Sequence, residues 1–439
     1  MSANLQKTLD YSPRIMISLY LCTMKSLILG SGLRVIVSAG DSDVAYCGIA
    51  VDSGTRDELE SESGLAHFTE HLSFKGTERR SSRQIISRME SVGGELNAFT
   101  GKEETVYYCA CQGEYMGRAM DLLFDVVMHS TYPQGEMDKE VEVVVDEIES
   151  YNDSPSELIY DDFEALLFDG HPLGRRILGD AKRLREYRRH DVQAYVSRMY
   201  TPDRMVFFCC GPVEEDDASV MRLLRPVLAR YPELNVGQSV PSRRVRESFA
   251  TLESGGRPVT VSMVKDTHQS HIMMGARAYA GDDPRHLALY VANNILGGPG
   301  LSSRLNMALR ERTGLVYMVD SSLVAYSDTG VWTVYFGCDK GDVSRCRRLV
   351  VNELKRMCSS PLSERALNAA KRQLSGQIAL AYENTENVAI GMGKRLLHYD
   401  SMQSREQLIE RIGAITAQEV WEAAREVFNP ERLTILEYN

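Results

Sequence analysis

A short stretch around two histidines, His67-Phe-Thr-Glu70-His71, has the residue types and spacing that could do chemistry. Residues four apart on a helix lie one turn above each other on the same face, so both imidazoles could bind one tetrahedral Zn²⁺. Glu70 lies beside them and could take a proton from water at the metal without being a ligand. The order is the inverse of the H-E-x-x-H zinc motif. The alternative is a surface helix with two exposed histidines, but the apolar neighbours Leu65 and Leu72 predict a packed helix.

A third ligand must come from elsewhere in the chain, because a catalytic zinc site has three protein ligands and one open position. Glu140 and Glu147 are seven residues apart in EVEVVVDE, so two helical turns would bring them to one face. The valines between them could also indicate a strand, but the length of the segment and its continuation SPSELIYDDFEALLF favour a helix. The two glutamates could equally lie on a solvated helix face, and their spacing alone leaves both interpretations open.

The elements that must position these residues come in runs of strands and runs of helices, which predicts an α+β fold. Two β-rich runs around Gly-Ser-Gly predict a hairpin, and ELNAFTGKEETVYYCACQ predicts two further strands. The polar, turn-rich stretch 231–258 is the best candidate linker. We therefore predict an N-terminal extension at 1–23, a zinc-binding catalytic domain at 24–232, a linker at 233–258, and a related metal-free domain at 259–439.

The pattern of the first half returns after the linker, which indicates a duplicated domain. HIMMGARAYAGDD resembles AYCGIAVDSGTRDE, LYVANNILGGPGLSSR aligns with HFTEHLSFKGTERRSSR, and LAYENTENV aligns with IESYNDSPS. The three matches keep the same order, although two unrelated α+β domains could resemble each other by chance. We expect two homologous domains, each with a mainly antiparallel sheet packed with helices.

Composition and charge exclude several classes of protein. Of the 439 residues, 43% are hydrophobic and 25% charged, which is ordinary for a globular protein. The formal net charge of -11 argues against non-specific nucleic-acid binding, which needs clustered Lys and Arg. No apolar run approaches the roughly 18–20 residues of a membrane span. The nine cysteines form no C-x-x-C pair, which favours reduced thiols in a cytoplasmic protein; export through a signal in residues 1–23 is the alternative.

Three segments resemble the inverzincin peptidases of the pitrilysin/insulinase family, especially the short members of the mitochondrial processing peptidase type. They are HFTEHLSFKGT, GGELNAFTGKEETVYY and KEVEVVVDEIES, and the resemblance extends over nearly all of the chain after the extension. It implies that His67 and His71 bind zinc, with Glu147 as the third ligand. It also implies that Glu70 is the general base and that Glu140 orients a ligand histidine.

The resemblance also implies how a substrate binds. Asn97, Ala98 and Phe99 would lie on an edge strand that pairs with an extended peptide. Arg310 and Tyr317 match an R-x6-Y pair that holds the substrate and polarises the scissile carbonyl. We therefore predict a zinc metalloendopeptidase that hydrolyses short unfolded peptides inside a closed chamber.

The second half lacks the metal ligands of the first. Alignment of YVANN with HFTEH places Tyr290, Asn293 and Asn294 at the motif positions, and Ile378 at the position of the distant glutamate. We expect one zinc ion per chain. The turn at 297–300 would be either a substrate-handling glycine-rich loop or a plain helix C-cap.

The assembly is predicted from the same resemblance. Full-size members of the family resemble two such halves, with the zinc domain facing the last domain across a chamber. A chain with one zinc domain and one Arg310/Tyr317 domain would complete its site as a two-fold homodimer. A heterodimer with a motif-lacking relative is the alternative. Two other functions stay open: a catalytically silent core subunit of a larger processing peptidase assembly, and a zinc hydrolase of non-peptide substrates.

Overall fold

The fold consists of two mixed β-sheets, each packed against helices. The computed structural model describes residues 24–237, 239–241, 259–265 and 267–439. The predicted extension at 1–23 and most of the predicted linker lie outside these residues. The strands are β1 (Met24–Ile28), β2 (Arg34–Ala39), β3 (Val44–Val51), β4 (Glu95–Thr100), β5 (Thr105–Gln112), β6 (Met205–Gly211), β7 (Thr260–Met263), β8 (Ser270–Ala278), β9 (Val316–Ala325), β10 (Gly330–Cys338) and β11 (Thr434–Tyr438).

The helices of the first half follow its strands in runs. They are α1 (Leu65–Ser73), α2 (Ser82–Glu90), α3 (Met116–His129), α4 (Gln134–Asn152), α5 (Pro155–Leu167), α6 (Ala181–Glu186), α7 (Arg189–Met199) and α8 (Asp217–Arg230). The second half contributes α9 (His286–Gly297), α10 (Val343–Ser359), α11 (Glu364–Ala381), α12 (Thr385–Tyr399), α13 (Arg405–Ala414) and α14 (Ala417–Val427), with a short π-helix at Asn306–Glu311.

The first sheet has the strand order β1-β2-β6-β3-β5-β4, in which only β2 and β6 are parallel. The predicted hairpin is β1–β2, and the predicted pair of strands is β4–β5, with β4 at the sheet edge. Apolar residues at helical spacing bury α3 against this sheet, where Leu123, Phe124 and Val127 have no exposed surface. The valine-containing acidic segment is helical, as predicted, and forms α4.

The second sheet has the order β7-β11-β8-β10-β9, in which only β7 and β11 are parallel. Helix α9 packs beside β9 at one sheet edge, as α1 does beside β4 in the first domain. The predicted α+β fold of two related, mainly antiparallel domains is confirmed.

Each sheet has one face covered by a helix of the other domain. Met392 and Leu396 of α12 pack in one buried cluster with Val106 and Phe208 of the first sheet. In the opposite direction, Phe163 of α5 packs in a cluster with second-sheet residues that include Met273, Tyr335 and Leu436. Burial of one such side chain contributes about 1.5–3 kcal/mol to the free energy of unfolding. We call α5 and α12 the exchanged helices, because each packs on the sheet of the other domain and so holds the two domains together.

Both exchanged helices approach the sheets at a glycine. A Cβ added to Gly393 of α12 would lie 2.4 Å from the ring of Phe208. A Cβ added to Gly275 of β8 would lie 3.0 Å from the ring of Phe163 and closer still to a backbone carbonyl. The absence of a side chain at these positions lets an aromatic ring fill the contact between the domains.

In the part of the chain that the structure describes, no helix combines the length and apolar character needed to cross a bilayer. The eight cysteines in the same part carry free thiols, and seven of them are buried.

Candidate metal centre

Helix α1 is fixed at its beginning by a buried carboxylate. Glu58 accepts hydrogen bonds from the backbone N–H groups of Gly64, at 3.2 Å, and Ala66, at 2.9 Å. These amides have no partner within the helix, so the carboxylate caps it. Burial raises the pKa of Glu58 to about 8, although the two backbone hydrogen bonds oppose this shift. Gly64 has a φ of 81° and packs against Gly179, which leaves no room for a side chain there.

Three predicted ligands converge on one point. His67 and His71 direct their Nε2 atoms to the same oxygen of Glu147, at distances of 3.8 and 3.5 Å. One donor atom from each of the three residues lies within 4.8 Å of the others. Ligands of a tetrahedral zinc ion, bound at about 2.0–2.2 Å, lie roughly 3.3–3.6 Å apart. The two distances to Glu147 are close to the spacing that Zn²⁺ requires, and Glu147, with 45% of its side chain exposed, leaves the site accessible to solvent.

Glu140 sets the orientation of His71. Its Oε1 lies 3.0 Å from His71 Nδ1, and its Oε2 lies 2.5 Å from Lys75 Nζ. Burial alone would raise the pKa of Glu140, but the hydrogen bonds from His71 and Lys75 outweigh it and lower this pKa. An ionised carboxylate at Nδ1 holds the proton on that nitrogen, so the Nε2 lone pair of His71 points toward Glu147.

His67 supplies a neutral imidazole. Burial, and then the neighbouring His71, lower the pKa of His67 to about 3. Its Nδ1 is buried and has no hydrogen-bond partner within the described residues. A side chain that stays neutral at physiological pH keeps a lone pair available for a metal ion.

The charge of the site favours a cation. Burial works to lower the pKa of His71, but the hydrogen bond to Glu140 and the charges of Glu70, Glu147 and Glu140 raise it. Three carboxylates surround two imidazoles, so the site with neutral histidines carries an excess of negative charge. A divalent cation would compensate this charge, and two nitrogens with one carboxylate are ligands that zinc accepts.

Glu70 lies next to this cluster but is not one of its three donors. It is buried, and its Oε2 accepts a hydrogen bond of 2.6 Å from the hydroxyl of Thr100 on β4. Burial raises the pKa of Glu70, and the hydrogen bond from Thr100 opposes that shift. A pKa that is shifted upward brings a carboxyl group closer to the range in which it exchanges protons at neutral pH.

The predicted peptide-binding residues Asn97, Ala98 and Phe99 lie on β4, which pairs with β5 on one side only. The Asn97 side chain accepts a hydrogen bond of 3.1 Å from the N–H of Ala98. The edge is therefore open to an added strand once this side chain turns away.

Arg310 and Tyr317 lie together in the second domain. The Arg310 guanidinium is 5.7 Å from the centre of the Tyr317 ring, and Tyr317 is 85% exposed. No hydrogen bond, ion pair or ring contact among the described residues joins either side chain to the histidine cluster. The structure thus brings together His67, His71, Glu147, Glu140 and Glu70, and leaves the exposed Tyr317 and the half-buried Arg310 as a separate pair.

In the second domain, a hydrogen-bonded amide stands at the position that aligns with Glu70. Asn293 of α9 accepts hydrogen bonds from the Ser321 hydroxyl, at 2.6 Å, and from Trp332 Nε1, at 3.0 Å. Its amide also donates to the Ser321 carbonyl. Ile378 is buried in the core of this domain. Helix α9 ends at Gly297, and the N–H of Gly298 bonds to the carbonyl of Asn294, as in a C-cap.

Sequence reasoning did not find Thr100, Glu58 or Lys75 as parts of the site. Lys75 lies two residues beyond the end of α1 and only four residues after His71, so its proximity could have been inferred from the sequence. Thr100 and Glu58 reach the site through tertiary contacts and carry no spacing signal.

The basic run at 182–189 makes contacts within the chain at the surface. Arg183 donates to the Ser61 carbonyl, and Arg185 forms an ion pair with Glu142 on α4.

Comparison with known proteins identifies the family of the chain and finds the same fold in solved structures. A family model described as insulinase (peptidase family M16) matches residues 34–181, and one described as peptidase M16 inactive domain matches residues 187–374. The chain is 34% identical to an uncharacterized zinc protease of Mycobacterium tuberculosis over 403 residues, covering 91% of this chain and 90% of that protein. It is 30% identical to the mitochondrial-processing peptidase subunit beta of Blastocladiella emersonii, covering 93% and 87%.

Two solved structures share the fold. A protease from Helicobacter pylori superposes with a TM-score of 0.85 at 19% identity, covering 96% of this chain and all of that one. A peptidase M16 inactive domain from Pseudomonas fluorescens superposes with a TM-score of 0.83 at 17% identity, covering 95% and 98%.

Proposed function

The chain belongs to the insulinase family of peptidases (peptidase family M16), and on this premise we propose that it is a zinc-dependent endopeptidase acting on unfolded peptides. The observation that carries the proposal is the spacing of the donor atoms of His67, His71 and Glu147, which suits a zinc ion, beside a buried carboxylate that is not a ligand. Relatives named zinc proteases support the choice of metal.

When bound, the zinc ion supplies Lewis-acid chemistry, because it polarises a peptide carbonyl and lowers the pKa of water. Residues of the chain transfer the protons and orient the ligands. Glu70 accepts the proton of the attacking water and delivers it to the leaving amine, a role that its raised pKa supports. Glu140 keeps His71 in the orientation and tautomer that a ligand needs.

The substrate binds as an added strand on β4. Backbone groups of Asn97, Ala98 and Phe99 pair with an extended peptide, so the site selects for extended shape rather than for one side chain. Folded proteins present few such segments, and we infer that short unfolded peptides are the substrates.

A second copy of the chain completes the site. Tyr317 is exposed and Arg310 half-buried, and no contact among the described residues joins either side chain to the histidine cluster of its own chain. In a two-fold dimer these side chains would reach the histidine cluster of the other chain and hold the substrate carbonyl there. The similarity to a peptidase subunit of Blastocladiella emersonii makes a heterodimer the alternative assembly.

A digest of a mixture of unfolded peptides by the purified protein tests the proposal. We expect cleavage that a chelator abolishes and added Zn²⁺ restores, with about one zinc per chain. Glu70→Gln protein is the control for contaminating proteases. A zinc-loaded protein that cleaves none of the peptides, alone or with a partner chain, would favour a silent core subunit instead.

A further inference from the structure

The turn between β4 and β5, residues 101–104, is charged and yet buried. Lys102, Glu103 and Glu104 are only 6%, 4% and 7% exposed. The N–H of Gly101 donates to the carbonyl of Glu104 at 2.7 Å and closes the turn. Burial of a charge costs free energy unless the charge is paired, so partners must hold the turn in place.

The partners of Glu103 join the turn to the β9–β10 loop of the second domain. Glu103 accepts hydrogen bonds from the N–H and the hydroxyl of Ser327, at 2.8 and 2.7 Å. It also accepts from Arg56 at 2.8 Å, and the same guanidinium makes two hydrogen bonds of 2.6 and 2.5 Å to Asp328. Buried polar contacts therefore join the tip of the β4–β5 hairpin in the first domain to the tip of the β9–β10 hairpin in the second.

The partners of Glu104 join the same turn to α12, the helix that covers the first sheet. Lys394 Nζ lies 2.5 Å from one carboxylate oxygen, and His398 Nε2 lies 2.9 Å from the other. On the remaining side, Lys102 donates to the Arg175 carbonyl and lies 3.5 Å from Glu164 of α5. The turn is thus held from three directions, two of them in the second domain.

The residue immediately before the turn touches the proposed general base. Thr100 donates to Glu70 Oε2 at 2.6 Å, and it is paired in register with Thr105 across the hairpin. Thr105 in turn donates to the Ser53 carbonyl at 2.8 Å. A shift of the turn would move the Thr100 hydroxyl and with it the carboxylate of Glu70.

We propose that Glu103 and Glu104 are positioning residues for Glu70, which they fix through Thr100 by holding the β4–β5 turn against the second domain. The inference rests on the proposed function of Glu70 as general base. It gives the metal-free domain a part in the chemistry of its own chain. Misplacement of a reacting group by about 1 Å can lower the rate about 100-fold. Contacts of the turn that do not touch the substrate can therefore still affect turnover.

The test compares variants of the β4–β5 turn and of Thr100 with a matched control at another contact between the domains. Glu103→Gln and Lys394→Met weaken the anchoring of the turn, whereas Thr100→Val removes the hydroxyl and Thr100→Ser keeps it. Tyr438→Phe is the control, because it removes an interdomain hydrogen bond of 2.7 Å, to Asp162, that does not involve the turn. We expect Glu103→Gln and Lys394→Met to lower kcat about 10-fold or more at unchanged zinc content, with Thr100→Ser and Tyr438→Phe close to the parent protein.

Double variants separate positioning from general stability. If the turn acts through Thr100, Glu103→Gln and Lys394→Met lower kcat no further in the Thr100→Val background. Effects on kcat that multiply in that background would overturn the inference.

A second measurement does not depend on activity. Hydrogen exchange followed by mass spectrometry should show faster exchange in α1 and β4 of Glu103→Gln and Lys394→Met, and unchanged exchange there in Tyr438→Phe. Unchanged exchange of α1 and β4 in the turn variants would contradict the inference. If the parent protein cleaved no peptide, the proposed function would fail, while exchange would still decide whether the turn positions α1.

Discussion

Glu70 in the first domain and Asn293 in the second each accept a 2.6 Å hydrogen bond from a hydroxyl on the edge strand of their own sheet. Thr100 of β4 is the donor in one domain and Ser321 of β9 in the other. The hydroxyl and its acceptor are thus common to both domains, whereas only the first has a carboxylate that can exchange a proton. Trp332 also donates to Asn293 and satisfies the amide inside the core.

Base and ligand roles can be separated by substitution at the candidate metal centre. Glu70→Gln should lower turnover by about 100-fold or more and keep about one zinc per chain, because Glu70 is not a donor atom of the cluster. His67→Ala, His71→Ala and Glu147→Gln should lower the zinc content itself. Metal analysis after dialysis and a peptide assay measure the two effects. Loss of zinc in Glu70→Gln, with full activity in Glu147→Gln, would reverse the assignment.

Glu140→Gln should weaken zinc binding about 10–100-fold, because the carboxylate orients His71 and keeps its Nδ1 protonated. Competition with a chromophoric chelator measures the affinity. Glu142→Gln on the same helix is the control, since Glu142 is exposed and, among the residues that the structure describes, forms an ion pair with Arg185 alone. Equal zinc affinities of the Glu140 variant and the parent protein would rule out the orienting role.

Glu104 should contribute to the loss of stability in acid. Burial opposes its ionisation, but His398 and Lys394 outweigh burial and lower the pKa of Glu104 to about 2. The contribution is fully present above the unfolded-state pKa of 4.5 and is lost as pH falls toward 2, with a total of roughly 3 kcal/mol. His398 stays protonated over this range. Burial works to lower its pKa, but the hydrogen bond with Glu104 outweighs burial and raises it.

Urea unfolding at several pH values between 3 and 7 measures this contribution. Glu104→Gln should be less stable than the parent protein at pH 7, and the difference should shrink as the pH falls to 3. Glu142→Gln should follow the parent curve throughout. A Glu104→Gln deficit that is the same at every pH would refute the electrostatic origin.

Two glycines of α12 should respond in opposite directions to alanine. Gly393→Ala places a methyl group against the Phe208 ring and should lower the free energy of unfolding by about 1–3 kcal/mol. Gly391→Ala meets no atom within 4 Å and should raise it by up to about 1 kcal/mol through helix propensity. Thermal unfolding compares the two variants directly. A destabilised Gly391→Ala would show that the helix itself, rather than the interface, is sensitive at this point.

Mixing two inactive variants tests whether the site is shared between chains. Glu70→Gln and Tyr317→Phe homodimers should each be inactive, and exchange of subunits should restore activity. A mixed dimer has one site with both defects and one site with neither. Subunit exchange must be shown by mass spectrometry of tagged chains. Proven exchange without recovered activity would place both residues in one chain's site and leave a cis-acting enzyme.

The sequence was sufficient to pair the candidate site residues that lie on the same helix, because their spacing is local. His67 and His71 are one turn apart on α1, and Glu140 and Glu147 are two turns apart on α4. The prediction that these two helices lie side by side came from the family resemblance, because periodicity does not show which helices are neighbours. The α+β order and the duplication were also predictable, since both leave a repeated pattern in the chain.

Contacts between residues far apart in the chain were not predictable. The Thr100–Glu70 hydrogen bond, the Glu58 cap on α1 and the burial of the 101–104 turn all depend on how the domains pack. Three charged residues in a row, Lys102-Glu103-Glu104, ordinarily indicate a solvent-exposed hairpin turn, but here the second domain supplies partners for the two glutamates. The packing of α5 and α12 on the sheet of the other domain cannot be predicted from helical periodicity. The spacing of apolar residues shows that one face of a helix is buried, but it does not show which sheet covers that face.

The exchange of helices also sets an order of events during synthesis. The face of the first sheet that carries Phe208 and Val106 stays uncovered until α12 leaves the ribosome, about 160 residues after the first domain is complete. At about 5–20 residues per second, this delay lasts roughly 8–30 seconds. An apolar sheet face exposed for that long is a target for chaperones and for aggregation. The two halves therefore mature together, and the first one depends for its final fold on a helix that is made near the end of the chain.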